Sequence, residues 1–204
     1  MPEIVALIDY GAGNLRSVEN ALRAAGGSPT VTADPALVAR ADRIVLPGVG
    51  AFAACMGGLI AIPGMIEALN EAVHKRATPF LGVCVGMQLL ADAGHEYGTT
   101  AGLGWIGGDV RLLERDSAFK VPHMGWNDVV PTRDHPLIEP GEAYYLHSYA
   151  FEVGDPADCL ATTDHGGPLI GAVGRDNIVG SQFHPEKSQG YGLAFLARFL
   201  SWKP

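Results

Sequence analysis

Cys84 has the local sequence expected of a catalytic nucleophile. The stretch Gly82-Val83-Cys84-Val85-Gly86 places it between two glycines, where a predicted strand meets a predicted helix. The same spacing with serine forms the nucleophile elbow, a sharp turn that lifts the nucleophile above the sheet. The helix behind it supplies free amides and a positive dipole end, which favour a thiolate. The pattern predicts that Cys84 is a nucleophile, whereas Cys55 and Cys159 are predicted to be core thiols.

A cysteine nucleophile needs a base, and the base needs an acceptor that orients it. His184 follows a predicted strand, and Glu186 lies two residues further on, with a proline between them. Since residues two apart in extended backbone point to the same side, we expect Glu186 to reach the far nitrogen of the His184 ring. Alone, this His-x-Glu sequence would also fit a solvated loop. Its position after a strand, in a chain that has an elbow, favours a catalytic pair.

Pro47-Gly48-Val49-Gly50 is a third candidate element, and it also follows a predicted strand. Its glycines allow the backbone to approach a ligand closely. Backbone amides of Val49 or Gly50, together with that of Val85, are therefore candidate donors to an oxyanion. Alone, the same sequence would fit an ordinary turn between a strand and a helix.

Two other patterns argue against bound cofactors and metals. Gly11-Ala12-Gly13 follows a strand as in dinucleotide-binding loops, but Arg16 occupies the third glycine position, so we expect no nucleotide cofactor. The seven histidines are scattered and contain no His-x-x-x-His pair, and the cysteines contain no Cys-x-x-Cys pair. The sequence therefore predicts no metal site and a reaction carried by side chains and backbone amides.

The elements that must position these residues alternate between strand and helix in the first half of the chain, which indicates a parallel sheet covered by helices. Strands are predicted at 4–8, 30–32, 43–46 and 80–83, and helices at 15–25, 63–75 and 85–91. The second half is predicted to contain strands at 109–113, 127–130, 143–151, 160–163, 169–173 and 178–183, a hairpin turn at 174–177 and a last helix at 191–202. We expect a single α/β domain over residues 1–204, with a central, mostly parallel sheet flanked by helices and an antiparallel extension in the C-terminal half.

Composition excludes several classes of protein. The chain has 204 residues, of which 48% are hydrophobic and 18% charged, and its net charge is −8. So much apolar content excludes intrinsic disorder, and the acidic balance argues against a nucleic-acid partner. No apolar run approaches the roughly 20 residues of a membrane span. No basic segment precedes the first apolar run, so we expect no signal peptide and no membrane association. Three cysteines then indicate reduced thiols and a cytoplasmic location.

Taken together, these motifs resemble those of class I (triad-type) glutamine amidotransferases. The elbow, the His184-Pro185-Glu186 stretch and the glycine-rich 47–50 turn match the superfamily as a whole. More specific stretches resemble the branch that forms the glutaminase subunits of imidazole glycerol phosphate synthase. These are the residues at 9–18 (Asp-Tyr-Gly-Ala-Gly-Asn-Leu-Arg-Ser-Val), 122–127 (Pro-His-Met-Gly-Trp-Asn) and 145–149 (Tyr-Leu-His-Ser-Tyr). The resemblance extends from residue 4 to about residue 200.

The resemblance implies a reaction and a set of substrate contacts. Cys84 would attack the side-chain amide of glutamine, His184 would act as acid and then base, and Glu186 would hold the His184 tautomer. The backbone at Val49, Gly50 and Val85 would form the oxyanion hole. The residues that would bind glutamine are Gly48, Gln88, Glu96 and Ser148. For Glu96, a solvated carboxylate at a helix end remains an alternative.

The resemblance also implies a protein partner. Members of this branch pass ammonia through an internal passage to a (β/α)8-barrel cyclase, which makes imidazole glycerol phosphate and an aminoimidazole-carboxamide ribonucleotide by-product in histidine biosynthesis. A chain of this length has no room for that second domain, so we expect a heterodimer. The residues that would face the partner are Asn14, Trp126, Asn127, Tyr144 and Lys187. Burial of Trp126 in its own core is an equally good interpretation.

Three alternatives remain open from the sequence. A glutaminase subunit of another synthase, such as one for anthranilate or guanylate, would share the chemistry and differ only in the acceptor. A cysteine peptidase or other hydrolase on a similar sheet would be active without a partner. A flavodoxin-like binding module would keep Cys84 as a core residue without a catalytic role.

Overall fold

The computed structural model describes residues 3–113 and 119–204. Its helices are α1 (Leu15–Ala24), α2 (Pro35–Ala39), α3 (Phe52–Ile60), α4 (Met65–Asn70), α5 (Val85–Gln88) and α6 (Gln189–Ser201). A π-helical turn (Glu71–Lys75) extends α4, and two 3-10 turns cover Pro156–Asp158 and Pro185–Lys187. The strands are β1 (Val5–Ile8), β2 (Pro29–Thr32), β3 (Arg43–Gly48), β4 (Phe80–Cys84), β5 (Ala93–Gly94), β6 (Thr100–Ala101), β7 (Gly108–Leu112), β8 (His123–Pro131), β9 (Gly141–His147), β10 (Tyr149–Val153), β11 (Cys159–Asp164), β12 (Pro168–Arg175) and β13 (Ile178–Ser181).

Nine of these strands form one mixed sheet in the order β2-β1-β3-β4-β13-β12-β11-β8-β9. The first five are parallel to one another, and the remaining neighbours pair antiparallel. Strands β1, β3 and β4 are buried along their whole length, as expected for parallel strands covered on both faces. The α/β class with an antiparallel extension is confirmed, and the predicted hairpin joins β12 to β13. The parallel part comprises five of the nine strands, because the extension contributes the other four.

The carboxyl ends of β3, β4 and β13 meet at one edge of this sheet. Gly48, the last residue of β3, is paired in register with Cys84, the last residue of β4. Ser181, the last residue of β13, is paired with Val83. The three candidate catalytic segments therefore leave the sheet side by side, although more than 30 residues separate each from the next in sequence. Ligands of open α/β sheets bind at this kind of edge.

The strand predicted at 143–151 is two strands in two different sheets. Strand β9 belongs to the large sheet, whereas β10 pairs with β7 in a second, four-stranded sheet of order β10-β7-β5-β6. The chain crosses between the sheets at Ser148, where the alternation of buried and exposed side chains ends. The prediction was wrong because aromatic residues, which favour strands, lie on both sides of the crossing.

Helix lengths also differ from the predictions. Helix α5 ends at Gln88, not at Ala91, because the carbonyl oxygens of Leu89 and Leu90 accept hydrogen bonds from the 103–106 segment instead of continuing the helix. Helix α4 begins at Met65, after Gly64 at φ +82°. No helix was predicted at α2, where the side chain of Asp34 caps the first turn. No helix was predicted at α3 either.

Among the described residues, no single helix combines the length and apolarity of a membrane span. One pair of helical segments has the length and the apolarity of a span only when its two members are counted together, and it bends by 93° at their junction. The two segments are Phe52–Ile60 and Met65–Lys75.

Candidate active site

A cavity of about 710 Å³ opens at the sheet edge where β3, β4 and β13 end. This volume lies within the range of small-molecule sites. Within the described chain, the cavity is lined by the elbow, the 49–50 turn, the crossing at Ser148, the segment after β13, the loop between β5 and β6, the end of β7 and the residues before β8. The lining residues are Val49, Gly50, Cys84, Val85, Gln88, Glu96, Tyr97, Leu112, Val121, Pro122, Leu146, His147, Ser148, Tyr149, His184 and Lys187.

Cys84 has the strained backbone of a nucleophile elbow. Its φ is +56° and its ψ is −113°, in a region that side chains other than glycine rarely adopt. The flanking glycines make this turn possible. A Cβ at Gly82 would lie 2.5 Å from the carbonyl oxygen of Gly86, and a Cβ at Gly86 would overlap the carbonyl oxygen of Leu46. The turn therefore presents the Cys84 sulfur to the cavity at the cost of local strain.

His184 and Glu186 form a buried hydrogen-bonded pair beside this sulfur. His184 Nδ1 lies 2.9 Å from Glu186 Oε1, and both side chains are less than 5% exposed. The backbone between them is a 3-10 turn and not extended, so the geometric reason given above was wrong, although the contact forms. The tight turn brings the carboxylate back onto the ring.

The surroundings of His184 favour its charged form. Burial by itself lowers the pKa of the imidazole, but the Cys84 sulfur and the Glu186 carboxylate outweigh burial and raise the pKa of His184 to about 9. An imidazolium beside a cysteine sulfur is the arrangement that activates a thiol as a nucleophile.

The candidate substrate-binding residues lie at different depths. Gln88, Glu96 and Ser148 line the cavity. Glu96 Oε2 also accepts a hydrogen bond from the Phe52 amide at 2.8 Å, so this carboxylate caps the first turn of α3. Gly48 lies behind the lining, where an added Cβ would be 2.6 Å from the Gly86 amide nitrogen. Gly48 therefore packs against the elbow. Substrate contacts by Gly48, Gln88, Glu96 and Ser148 stay predictions.

The 49–50 turn forms another wall of the cavity. Gly50 has φ +95°, and Val49 is 42% exposed. The Val49 carbonyl oxygen lies 3.4 Å from the sulfur of Cys55, which is fully buried. Since the carbonyl and the amide hydrogen of a trans peptide point in opposite directions, the Gly50 amide points away from Cys55.

Gln182 is a site residue that the sequence reasoning missed. Its amide nitrogen lies 3.6 Å from the Cys84 sulfur, and its side chain is completely buried. Its amide oxygen accepts a hydrogen bond from Gln88 Nε2 at 2.9 Å. Period-two alternation from His184 could have placed Gln182 on the same side of the chain.

The comparisons with known proteins decide the family. The sequence profile of the family described as Glutamine amidotransferase class-I matches residues 6–201 of this chain. The chain belongs to the class-I glutamine amidotransferases. It is therefore an enzyme subunit.

Relatives and solved structures agree with this membership. "Imidazole glycerol phosphate synthase subunit HisH" of Zymomonas mobilis subsp. mobilis is 63% identical over 205 residues, which are 98% of this chain and 96% of the relative. The protein of the same name from Rhodospirillum rubrum is 57% identical over 212 residues, which are 98% and 99% of the two chains. A glutamine amidotransferase crystal structure (TM-score 0.74, 19% identity, 95% and 98% covered) and the structure of PurLQS from Thermotoga maritima (TM-score 0.74, 19% identity, 98% and 99% covered) share the amidotransferase fold.

Three of the five residues predicted to face a partner form a cluster on the surface of this amidotransferase. The rings of Trp126 and Tyr144 meet edge to face at 6.2 Å, and Lys187 Nζ lies 5.9 Å from the centre of the Tyr144 ring. Trp126 is 47% exposed, so it lies outside the core. Asn14 is exposed at the start of α1, whereas the Asn127 side chain is bonded within the protein. Partner contacts by these residues stay predictions.

Three histidines that are scattered in sequence, His123, His147 and His165, lie together in space. His123 lies 2.9 Å from His147, and its ring stacks on His165 at 4.2 Å between centres. Strand pairing in the antiparallel extension brings the first two together, since they are opposite each other in β8 and β9. Over the described residues, no group of three or more His, Cys, Asp or Glu side chains has the geometry of a metal site.

Proposed function

We propose that this amidotransferase hydrolyses glutamine to glutamate and ammonia with Cys84 as nucleophile, His184 as acid and base, and Glu186 as the group that orients His184. The observation that carries the proposal is the Cys84 elbow, which opens into a small-molecule cavity beside a buried His–Glu pair. A core cysteine would gain nothing from a strained backbone and an imidazolium neighbour.

In the first half of the reaction, the Cys84 thiolate attacks the side-chain carbonyl carbon of glutamine, and a C–S bond forms. The negative charge moves to the carbonyl oxygen. When the tetrahedral species collapses, the C–N bond breaks and the leaving nitrogen takes the proton of the His184 imidazolium, so that ammonia departs. A glutamyl thioester and a neutral imidazole remain.

In the second half, the neutral His184 ring removes a proton from water as the water oxygen attacks the thioester carbon. Collapse of the second tetrahedral species breaks the C–S bond and releases glutamate, and the thiolate and imidazolium are restored. The oxyanion in both steps is stabilised by the amides of Gly50 and Val85, with Val49 in the same turn. The contact between the Val49 carbonyl oxygen and the Cys55 sulfur supports this role, because it leaves the Gly50 amide directed away from Cys55.

Glutamine is held by its amino-acid end in this proposal. The Glu96 carboxylate suits the α-ammonium group by charge, and Gln88 and Ser148 supply hydrogen bonds from the same wall. Gly48 acts through the close packing of the 48–50 turn against the elbow. No cofactor or metal takes part in any step.

Replacing Glu186 with glutamine is expected to move the alkaline limit of activity to lower pH. His184 must be protonated to release ammonia, so kcat/KM of the native chain falls as pH rises through about 9, the pKa of His184. The carboxylate is one of the groups that raise this pKa, so its loss lowers the pKa and the limit. The pH profile of glutamate formation measures the alkaline limit of the native chain and that of the variant. An identical alkaline limit in the native chain and the Glu186→Gln variant would show that the pair is not the acid of the reaction.

The acceptor of the ammonia is proposed from the relatives and from the exposed aromatic cluster. Relatives over 50% identical along the full chain are named as subunits of imidazole glycerol phosphate synthase, which disfavours the anthranilate and guanylate alternatives. We infer that the chain forms a cytoplasmic heterodimer with a (β/α)8-barrel cyclase and channels ammonia to it. The cyclase then makes imidazole glycerol phosphate and the aminoimidazole-carboxamide ribonucleotide by-product of histidine biosynthesis. Asn14, Trp126, Asn127, Tyr144 and Lys187 would lie at or near that contact.

The purified chain alone is expected to be a poor glutaminase, at least about tenfold slower than the complex with cyclase and its ribonucleotide ligand. Val49 and Gly50 are exposed, and the Val49 carbonyl oxygen contacts only the weak S–H donor of Cys55, so the Val49–Gly50 peptide can invert and remove the oxyanion donor. Glutamate formation is measured for the chain alone, for the chain with the cyclase, and for the chain with the cyclase and its ribonucleotide ligand. Equal kcat under all three conditions would contradict coupling to a cyclase.

A further inference from the structure

Two buried histidines connect the strand that carries Trp126 to the wall of the cavity. His123 Nδ1 lies 2.9 Å from His147 Nε2, and His147 Nδ1 lies 2.9 Å from the carbonyl oxygen of Tyr149. Burial lowers the pKa of His123 to about 3 and that of His147 to about 4, and the neighbouring histidines add to this effect. Both rings are therefore neutral at pH 7.

Neutral rings fix the direction of each hydrogen bond. A carbonyl oxygen only accepts, so His147 carries its proton on Nδ1 and accepts at Nε2 from His123 Nδ1. His123 Nε2 then accepts from Asn127 Nδ2 at 3.0 Å, and the same amide nitrogen donates to the Asp164 carbonyl at 2.7 Å. The Asn127 oxygen accepts from the Asp128 amide at 2.9 Å, so no other orientation satisfies every group.

The chain continues from Tyr149 to the nucleophile. The Tyr149 carbonyl also accepts from Gln88 Nε2 at 2.9 Å, and the second hydrogen of that nitrogen goes to Gln182 Oε1 at 2.9 Å. Because the oxygen end of the Gln182 amide is taken, its nitrogen end faces the Cys84 sulfur at 3.6 Å. The network ends in a buried N–H donor aimed at the sulfur.

A buried donor to sulfur stabilises the thiolate, whereas an amide oxygen in the same place would repel it. We propose that Gln182 is a further catalytic residue, which donates a hydrogen bond to the thiolate of Cys84. The carbonyl oxygen of Tyr149 can only accept, so it sets the Gln88 amide and, through it, which end of the Gln182 amide faces the sulfur. The histidine bonds agree with this orientation. This inference rests on the thiolate chemistry of the proposed function, and it is independent of the ammonia acceptor.

The test measures the rate at which iodoacetamide alkylates Cys84 as a function of pH. Mass spectrometry of the peptide that contains Cys84 separates it from Cys55 and Cys159. The Gln182→Met variant keeps the length of the side chain but removes the donor, so the thiolate loses a charge-assisted hydrogen bond. The acid midpoint of alkylation is expected to move up by about one pH unit. An unchanged midpoint would overturn the role of Gln182.

Gln182→Glu serves as the opposite control at the same position. It places a carboxylate beside the sulfur, and the midpoint is expected to rise further than in Gln182→Met. The native titratable groups that line the cavity or couple to the sulfur are not substituted in these variants: His184, His147, Glu96, Tyr97, Tyr149, Lys187, Tyr10 and Cys55.

These measurements use neither glutamine nor a partner, so a failure of this inference can be distinguished from a failure of the proposed function. A chain that shows the Gln182 dependence but forms no glutamate supports the inference and contradicts the proposed function. A native Cys84 whose alkylation shows no acid midpoint contradicts both.

Discussion

Replacing Cys84 with serine is expected to lower kcat for glutamine hydrolysis by about 10⁴-fold or more. A serine hydroxyl stays protonated beside the His184 imidazolium, so no anionic nucleophile is available to attack the amide carbon. The substitution changes one atom of a nearly buried side chain, and the free energy of unfolding should change by less than about 1 kcal/mol. Glutamate formation in the presence of the cyclase measures the first effect, and urea unfolding measures the second.

Cys159→Ser is the matched control, because it makes the same atomic change in a buried thiol of β11. The Cys159 sulfur faces the carbonyl oxygen of Ala161 at 3.6 Å, away from the cavity lining described above. This variant is expected to keep native activity. Hydrolysis by Cys84→Ser within tenfold of the native rate would remove Cys84 from the reaction and revive the interpretation of Cys84 as a core residue.

Replacing Gly86 with alanine is expected to disrupt the elbow and lower the free energy of unfolding by about 3 kcal/mol. The new Cβ would overlap the backbone carbonyl oxygen of Leu46, and a backbone atom in a fully buried strand cannot move aside as a side-chain end can. The turn must shift to relieve the overlap, which displaces Cys84 from His184. Activity should therefore fall by at least about 10²-fold, as expected for a misplacement of about 1 Å.

Gly57→Ala is a control with the opposite expectation. Gly57 also lies in a helix, but its added Cβ would have no described heavy atom within 4 Å. Alanine in a helix interior is favoured over glycine by up to about 1 kcal/mol, so this variant should be slightly more stable and fully active. If both glycine substitutions have the same small effect on unfolding and on turnover, the elbow does not depend on close packing at Gly86.

The parts of the site that follow from local sequence were predictable. Two glycines around a cysteine, at a junction of strand and helix, specify the elbow because the backbone there has few alternatives. The order of the parallel strands then brings the 47–50 turn and the segment after β13 to the same edge. Even so, the local reason for the His184–Glu186 contact was wrong, because proline starts a 3-10 turn where extended backbone was expected.

The parts that depend on pairing between distant strands were not predictable from one sequence. His123 and His147 are 24 residues apart, and only the register of β8 with β9 makes them partners. Alternation could place the side chain of Gln182 on the side of His184, but its contact with the Cys84 sulfur, 98 residues away, depends on the pairing of β13 with β4. The division of 143–151 at Ser148 was missed for the same reason, since propensity alone cannot tell which sheet a strand joins.

The covalent intermediate on Cys84 provides the most direct test of the central claim. The native chain, with the cyclase and its ligand, is mixed with glutamine, quenched in acid during turnover and analysed by mass spectrometry. We predict a glutamyl group attached to the peptide that contains Cys84, and none in the Cys84→Ser variant. Sustained glutamate formation without any adduct on Cys84, or with the adduct on another residue, would contradict the proposed mechanism.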